Sequence, residues 1–151
     1  TQELDARDTP VVLVLFGDHK PWMGNGGSVY EEMGIDFDTS TLAGFRNYYA
    51  TPYLIWANRA AKEVLGADFT GDGGDFSPCF LMTRLFDACG WAGPGYMQLS
   101  RAMRDISPLL HTNGLFLHDG VLTSVLSDTD RSFYRSWLAV QYYREHVAAY
   151  S

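Results

Sequence analysis

The chain has 151 residues, 46% hydrophobic and 19% charged, enough to bury a core in a single segment of ordinary domain size and too apolar for a disordered one. A net charge of −7 with no run of Lys or Arg excludes nucleic acid as a partner, because a phosphate backbone requires a basic patch. The longest purely apolar run, Val11 to Phe16, falls far short of the roughly 20 residues of a membrane-spanning helix, so no membrane span is expected.

The sequence opens at Thr1 without a signal-peptide pattern, so targeting information is either absent or removed. Residues Val11 to Phe16 lack polar alternation, the pattern of a strand buried on both faces, as in a parallel sheet. Thr9-Pro10 delimits its start, and Gly17 marks the strand end where ligands of open α/β sheets sit. From Pro21 to Gly44 the chain is rich in glycine and has no sustained period. It reads as a long excursion with one helical turn near Val29 to Met33, and loops of that length are functional or held by another part of the protein. A second apolar strand, Tyr53 to Ala57, follows Thr51-Pro52 and ends at Asn58.

"RAAKEVLG" is then a short helix or helical turn stopped by Gly66, and "DFTGDGGD" is a turn-rich loop. Ser77-Pro78 resembles an N-cap with proline at the first helical position, opening a helix to about Ala88 with Gly90 beyond it. A second helix runs from about Pro94 to Met103, with Tyr96, Leu99 and Met103 on one face. "LFLHDGVLTS" fits a hairpin or a pair of edge strands around His-Asp-Gly. The last helix starts at Asp130 as its N-cap and carries Phe133, Trp137 and Val140 on one stripe. A strand buried on both faces needs neighbours, yet only one other clear strand is present. The sheet is therefore expected to be incomplete: either the chain is the C-terminal part of a larger α/β domain, or its unpaired edge meets another copy in a homo-oligomer.

Asp18-His19 is the sharpest chemical signal. At a strand end, where the chain turns, a carboxylate oxygen and an imidazole nitrogen can converge on one Mn²⁺ or Zn²⁺, and Gly17 lets backbone approach closely. The alternative is a strand-end cap with a surface histidine. His118-Asp119 reads as a solvated turn, His111 as a partner of helix-terminal carbonyls, and His146 as a surface residue. Asp68, Asp72 and Asp75 lack the spacing and the closing Glu of an EF-hand loop. "GNGG" lacks the spacing of a phosphate cradle, and no GxSxG or Cys–His pair supports nucleophilic catalysis. Cys79 and Cys89 lack metal-site spacing and read as free and buried. Aromatic residues, 15% of the chain, belong either to the core or to a surface for a partner or a carbohydrate.

In order and spacing, "VVLVLFGDHKP", "YYATPYLIWAN" and "SPCFLMTRLFDACGW" resemble the lipoteichoic acid synthase and phosphoglycerol transferase branch of the sulfatase and alkaline phosphatase superfamily. The likeness extends through "YMQLSRAMRDISPLL" to "LAVQYY". It implies the C-terminal portion of an alkaline phosphatase/sulfatase-like α/β/α sandwich, with residues 1–151 as one segment and the upstream part absent. It further implies that Asp18 and His19 ligate a divalent metal in the intact protein, Mn²⁺ first, with Zn²⁺, Mg²⁺ or Ca²⁺ as alternatives. The family's nucleophilic threonine and other ligands lie upstream of GDH, so the resemblance assigns no catalytic residue here and implies a fragment inactive alone. Its implied substrate is a lipid- or glycan-linked phosphoglycerol, and its implied location is the extracytoplasmic side of the membrane, in a membrane-anchored parent. The competing expectation is a non-catalytic binding or assembly module that uses aromatic surface and an exposed sheet edge.

Overall fold

The apolar run after Pro10 forms strand β1 (Val12–Phe16) in the computed structural model of the chain, which describes residues 2–147. Its neighbour is β2 (Tyr53–Ala57), in antiparallel register from Val12 opposite Ala57 to Phe16 opposite Tyr53. This corrects the expectation of a parallel sheet with β1 buried on both faces. Among the described residues each strand has a single neighbour, no residue of β1 is fully buried, and Leu15 and Phe16 are 52% and 61% exposed. An unbroken apolar run signals apolar surroundings without naming the element that supplies them, and it carries no information about strand direction.

Among the described residues the protein is mixed α and β with two small antiparallel sheets, and it divides into two units, one ending at Gly71 and the other starting at Asp72. The first unit opens with α1 (Gln2–Asp5), then β1, α2 (Ser28–Glu32), α3 (Leu42–Tyr49), β2 and α4 (Arg59–Leu65). The helical turn near Val29 is present as α2, whereas α3 falls in sequence that reads as loop and strand approach. Thr41 caps α3 by accepting from the Gly44 amide at 3.0 Å. Gly44 is no breaker there: a Cβ at that position would lie 2.1 Å from the Asp38 carbonyl oxygen, so glycine lets α3 close on the loop before it. α4 starts and stops as its sequence indicates, with Asn58 as N-cap and Gly66 left-handed at φ 64°.

Asn58 is fully buried and joins three pieces of this unit. Its Oδ1 accepts from the Val11 and Ala61 amides, both at 2.9 Å, while Nδ2 donates to the carbonyls of Leu4, Arg7 and Thr9 at 3.2, 3.1 and 2.9 Å.

The second unit begins with a 3-10 turn, Pro78–Phe80, that leads into α5 (Leu81–Ala88). α6 (Gly95–Ile106), the hairpin of β3 (Phe116–His118) and β4 (Val121–Thr123), and α7 (Asp128–His146) follow. Asp119 and Gly120 turn the hairpin at φ 50° and 78°, the positive pair that a two-residue primed turn demands, in agreement with the His-Asp-Gly signal. Phe80, Met103 and Trp137 form the core, and the Trp137 indole N–H donates to Ser100 Oγ at 3.0 Å, so the buried polar end is paired. Ser127, not Asp130, is the N-cap of α7. Its hydroxyl accepts from the Asp130 amide and donates to the Asp130 carboxylate, so Asp130, at the third helical position, supports the cap rather than forming it. Both cysteines are free; Cys89 is buried as expected, but Cys79 sits in the 3-10 turn facing solvent. Between two helices of this unit, Asp87 of α5 binds Arg101 Nε at 2.6 Å and an Arg104 nitrogen at 2.7 Å on α6, and Arg104 also donates to Thr83 of α5 at 3.2 Å.

Candidate functional site

The end of β1 is pinned before it reaches the Asp-His pair. The Gly17 amide donates to the Pro52 carbonyl at 3.0 Å, and the Thr51 hydroxyl donates to the Gly17 carbonyl at 2.7 Å. A Cβ at Gly17 would stand 3.1 Å from that of Thr51, so the glycine permits the close approach of the two strand ends.

Beyond this clamp the chain turns, and Asp18 and His19 face one another. Asp18 Oδ1 accepts from the His19 amide at 2.9 Å, which sets the carboxylate plane, and Oδ2 lies 3.6 Å from His19 Nε2. His19 Nδ1 lies 3.0 Å from the Lys20 carbonyl oxygen. A carbonyl only accepts, so Nδ1 is the donor in that contact, and Nε2 is the ring nitrogen turned to Oδ2. Both side chains are open to solvent, 81% exposed for Asp18 and 77% for His19.

The pair presents two candidate ligand atoms to one ion. Two ligands with bonds of about 2.1 Å stand about 3.4 Å apart at a tetrahedral angle and about 3.0 Å apart at an octahedral one, against 3.6 Å here, and a ligating imidazole ordinarily gives its other N–H to a carbonyl or carboxylate. Among the described residues no group of three or more His, Cys, Asp or Glu side chains gathers around one point, so the pair has no third protein ligand there. His118 and Asp119 repeat the pattern on the β3–β4 turn, with Nε2 to Oδ2 at 3.7 Å and Nδ1 3.0 Å from the Ile106 carbonyl oxygen. His111 lies in the turn before β3, where its Nδ1 is 3.2 Å from the Asn113 amide, and His146 is exposed near the end of α7 against Tyr142. Asp72 closes its own loop by accepting from the Gly74 amide at 2.8 Å.

Asp18, His19 and Lys20 also stand at one wall of a cavity of about 240 Å³ whose other lining residues are aromatic. Trp22, Tyr30, Phe37, Tyr48 and Tyr49 come from the loop after the pair, from α2, from the segment before α3, and from the end of α3. Their density is legible in composition, but their meeting place is not. Lys20 reaches past the pair and donates to the Asn47 carbonyl, which ties α3 to the strand end.

No family model, curated protein or solved structure matches the chain. Among the described residues no helix is long and apolar enough to cross a membrane.

Proposed function

We propose that the chain is the C-terminal part of the catalytic domain of an extracytoplasmic, metal-dependent phosphoglycerol transferase or sulfatase-family hydrolase, within a longer, membrane-anchored protein of α/β/α sandwich fold. Asp18 and His19 supply two ligands of its divalent ion, Mn²⁺ in the first instance. The observation that carries this reading is the pair itself: Asp18 Oδ2 and His19 Nε2 3.6 Å apart, just beyond the clamp at Gly17, with His19 Nδ1 on the Lys20 carbonyl. The likeness of the GDH and TPYLIWAN stretches to that family supports the substrate class. The open edges of the β1–β2 sheet, with apolar Leu15, Phe16 and Leu54 exposed, support a sheet continued by further strands.

A divalent ion held there would polarise a phosphoryl oxygen and lower the pKa of an attacking hydroxyl. The chain's own part is to present two ligand atoms side by side at the strand end. Their binding can be read by titrating Mn²⁺ into the chain and following the paramagnetic resonance of the free ion. Retention is expected at millimolar concentration, falling about tenfold in Asp18→Ala and in His19→Ala, in line with the loss of one ligand. Equal retention by the wild type and both variants would refute the site. With Mn²⁺ present the chain alone is expected to turn over no phosphodiester, and turnover abolished by His19→Ala would refute the part-domain reading.

The same exposed edges favour a second reading, an assembly module that pairs through β1 or β2 with another copy. Sedimentation at several concentrations separates the two, since a chain that stays monomeric throughout does not assemble through its edge.

A further inference from the structure

We propose that α7 docks a second copy of this chain, helix against helix and antiparallel, about a two-fold axis level with Leu138. This goes beyond the metal reading and uses neither edge of the β1–β2 sheet. Only Trp137 is buried among the 19 residues of α7, so most of the helix surface is open. At 3.6 residues per turn, Thr129, Ser132, Ser136, Val140, Tyr143 and Val147 fall along one side in steps of three and four, the spacing of a helix-pairing seam.

The two halves of this seam differ in shape. The first half borders a groove of about 510 Å³ lined by Asp128, Thr129, Ser132, Phe133 and Ser136. The second half projects: Val140, Tyr143 and Val147 are 37%, 55% and 46% exposed. An axis level with Leu138 sets Val147 against Thr129 of the other copy and Val140 against its Ser136, and it brings Tyr143 between Ser132 and Phe133. The same contacts recur at the other end, as an isologous interface requires. Parallel pairing would instead set groove on groove and projection on projection, which leaves the grooves unfilled.

Charge selects the same partner. The chain carries −7, which repels a second copy over most of the surface. On α7 the charges cancel, since Asp128, Asp130 and Glu145 are matched by Arg131, Arg135 and Arg144. Asp128 and His146 stand eighteen residues apart, five turns of helix, and so occupy the same flank of the seam. Equal flanks meet in an antiparallel pair. Each Asp128 carboxylate therefore accepts from the His146 imidazole of the other copy, twice per dimer. A pair of single helices belongs to the interfaces below about 1,200 Å², those of weak and transient contacts, so a dissociation constant on the order of 10 µM is expected.

The test is sedimentation equilibrium of the 151-residue chain over concentrations that bracket that constant, where a reversible dimer is expected. Val140→Glu with Tyr143→Glu puts two carboxylates per copy into the seam and is expected to stay monomeric. Both positions are exposed, so the fold should survive, and circular dichroism verifies that. Asp128→Lys and His146→Glu are each expected to weaken the dimer about tenfold, because each spoils a contact made twice. The double variant restores opposite partners and should return to within about twofold of the wild type, which decides the matter even if the seam variant fails to fold. Leu15→Lys with Phe16→Lys, on the free edge of β1, is expected to leave the dimer intact. A wild type monomeric at every concentration, a dimer kept by the folded seam variant, or a double variant no tighter than either single one would overturn the proposal. So would a dimer lost in the Leu15 and Phe16 variant, which assigns assembly to the sheet edge. The Mn²⁺ titration of Asp18 and His19 uses neither surface, so its failure and the failure of this proposal are separate results.

Discussion

Asn58 offers the sharpest separation between a local and a three-dimensional account of this chain. As an N-cap alone it should tolerate aspartate, which ranks with asparagine at that position. The structure requires more, because the amide nitrogen faces the carbonyls of Leu4, Arg7 and Thr9 while the oxygen serves Val11 and Ala61. Asn58→Ala removes the cap, about 1 kcal/mol, and leaves the Val11 amide without its acceptor, a further 1–3 kcal/mol or so. The three carbonyls belong to residues at least partly open to water and can re-pair, so the expected total is about 3 kcal/mol, a large share of the roughly 5–15 kcal/mol of a typical domain. Asn58→Asp keeps both accepted bonds but turns a carboxylate oxygen on three carbonyl oxygens in a fully buried site. It is therefore expected to be at least as destabilising as alanine. Urea denaturation followed by circular dichroism gives both values, and native-state hydrogen exchange should show the Val11 amide losing protection in each variant. An Asn58→Asp chain within about 0.5 kcal/mol of the wild type would refute the three-carbonyl account and leave the cap as the residue's whole role.

Gly44→Ala should behave opposite to the usual helix substitution. Added Cβ density 2.1 Å from the Asp38 carbonyl oxygen must push α3 off its loop, at about 1–3 kcal/mol by urea denaturation, where an ordinary helix interior would gain from alanine. Asp87→Ala strands Arg101 and Arg104 and should cost about 2–4 kcal/mol in the same assay. The pH dependence of that site has a definite sign. Burial alone would raise the Asp87 carboxyl, but the hydrogen bonds and charges of Arg104 and Arg101 outweigh it and hold it below its ordinary 3.8. A carboxyl lowered by folding contributes stability that is complete above its ordinary value and lost as the pH falls through the folded one. The wild type should therefore lose more stability than Asp87→Asn below about pH 4, and parallel acid titrations of the two would contradict the cluster.

Elements with local start and stop chemistry were legible in the sequence. β2 follows Thr51-Pro52, α4 lies between Asn58 and Gly66, and the Asp119-Gly120 turn closes its hairpin, each within a few residues of its signal. What failed depended on distant neighbours. The stretch that ends at Gly44 reads as an excursion because glycine lowers helix propensity, and only the Asp38 carbonyl explains why α3 keeps Gly44. Asp130 reads as a cap because it precedes an apolar stripe, yet Ser127 three residues earlier has the same chemistry, and its hydroxyl takes the Asp130 amide. The direction of β1 was out of reach for the same reason, since its apolar run is compatible with either pairing.

The candidate site divides along that line. Asp18 and His19 are adjacent in sequence, so a turn at a strand end suffices to bring them together, and their geometry follows from bonds to their own and the next residue. The aromatic wall has no such local cause. Trp22 and Tyr48 are separated by all of α2 and the turn into α3, and they meet where Lys20 donates to the Asn47 carbonyl and joins the two ends of the intervening chain, while Tyr30 of α2 donates to the Pro21 carbonyl. A segment whose only task was to join β1 to β2 antiparallel could be a tight hairpin of a few residues. This one instead spends two short helices on placing rings beside the Asp-His pair, which makes the excursion after GDH part of the site.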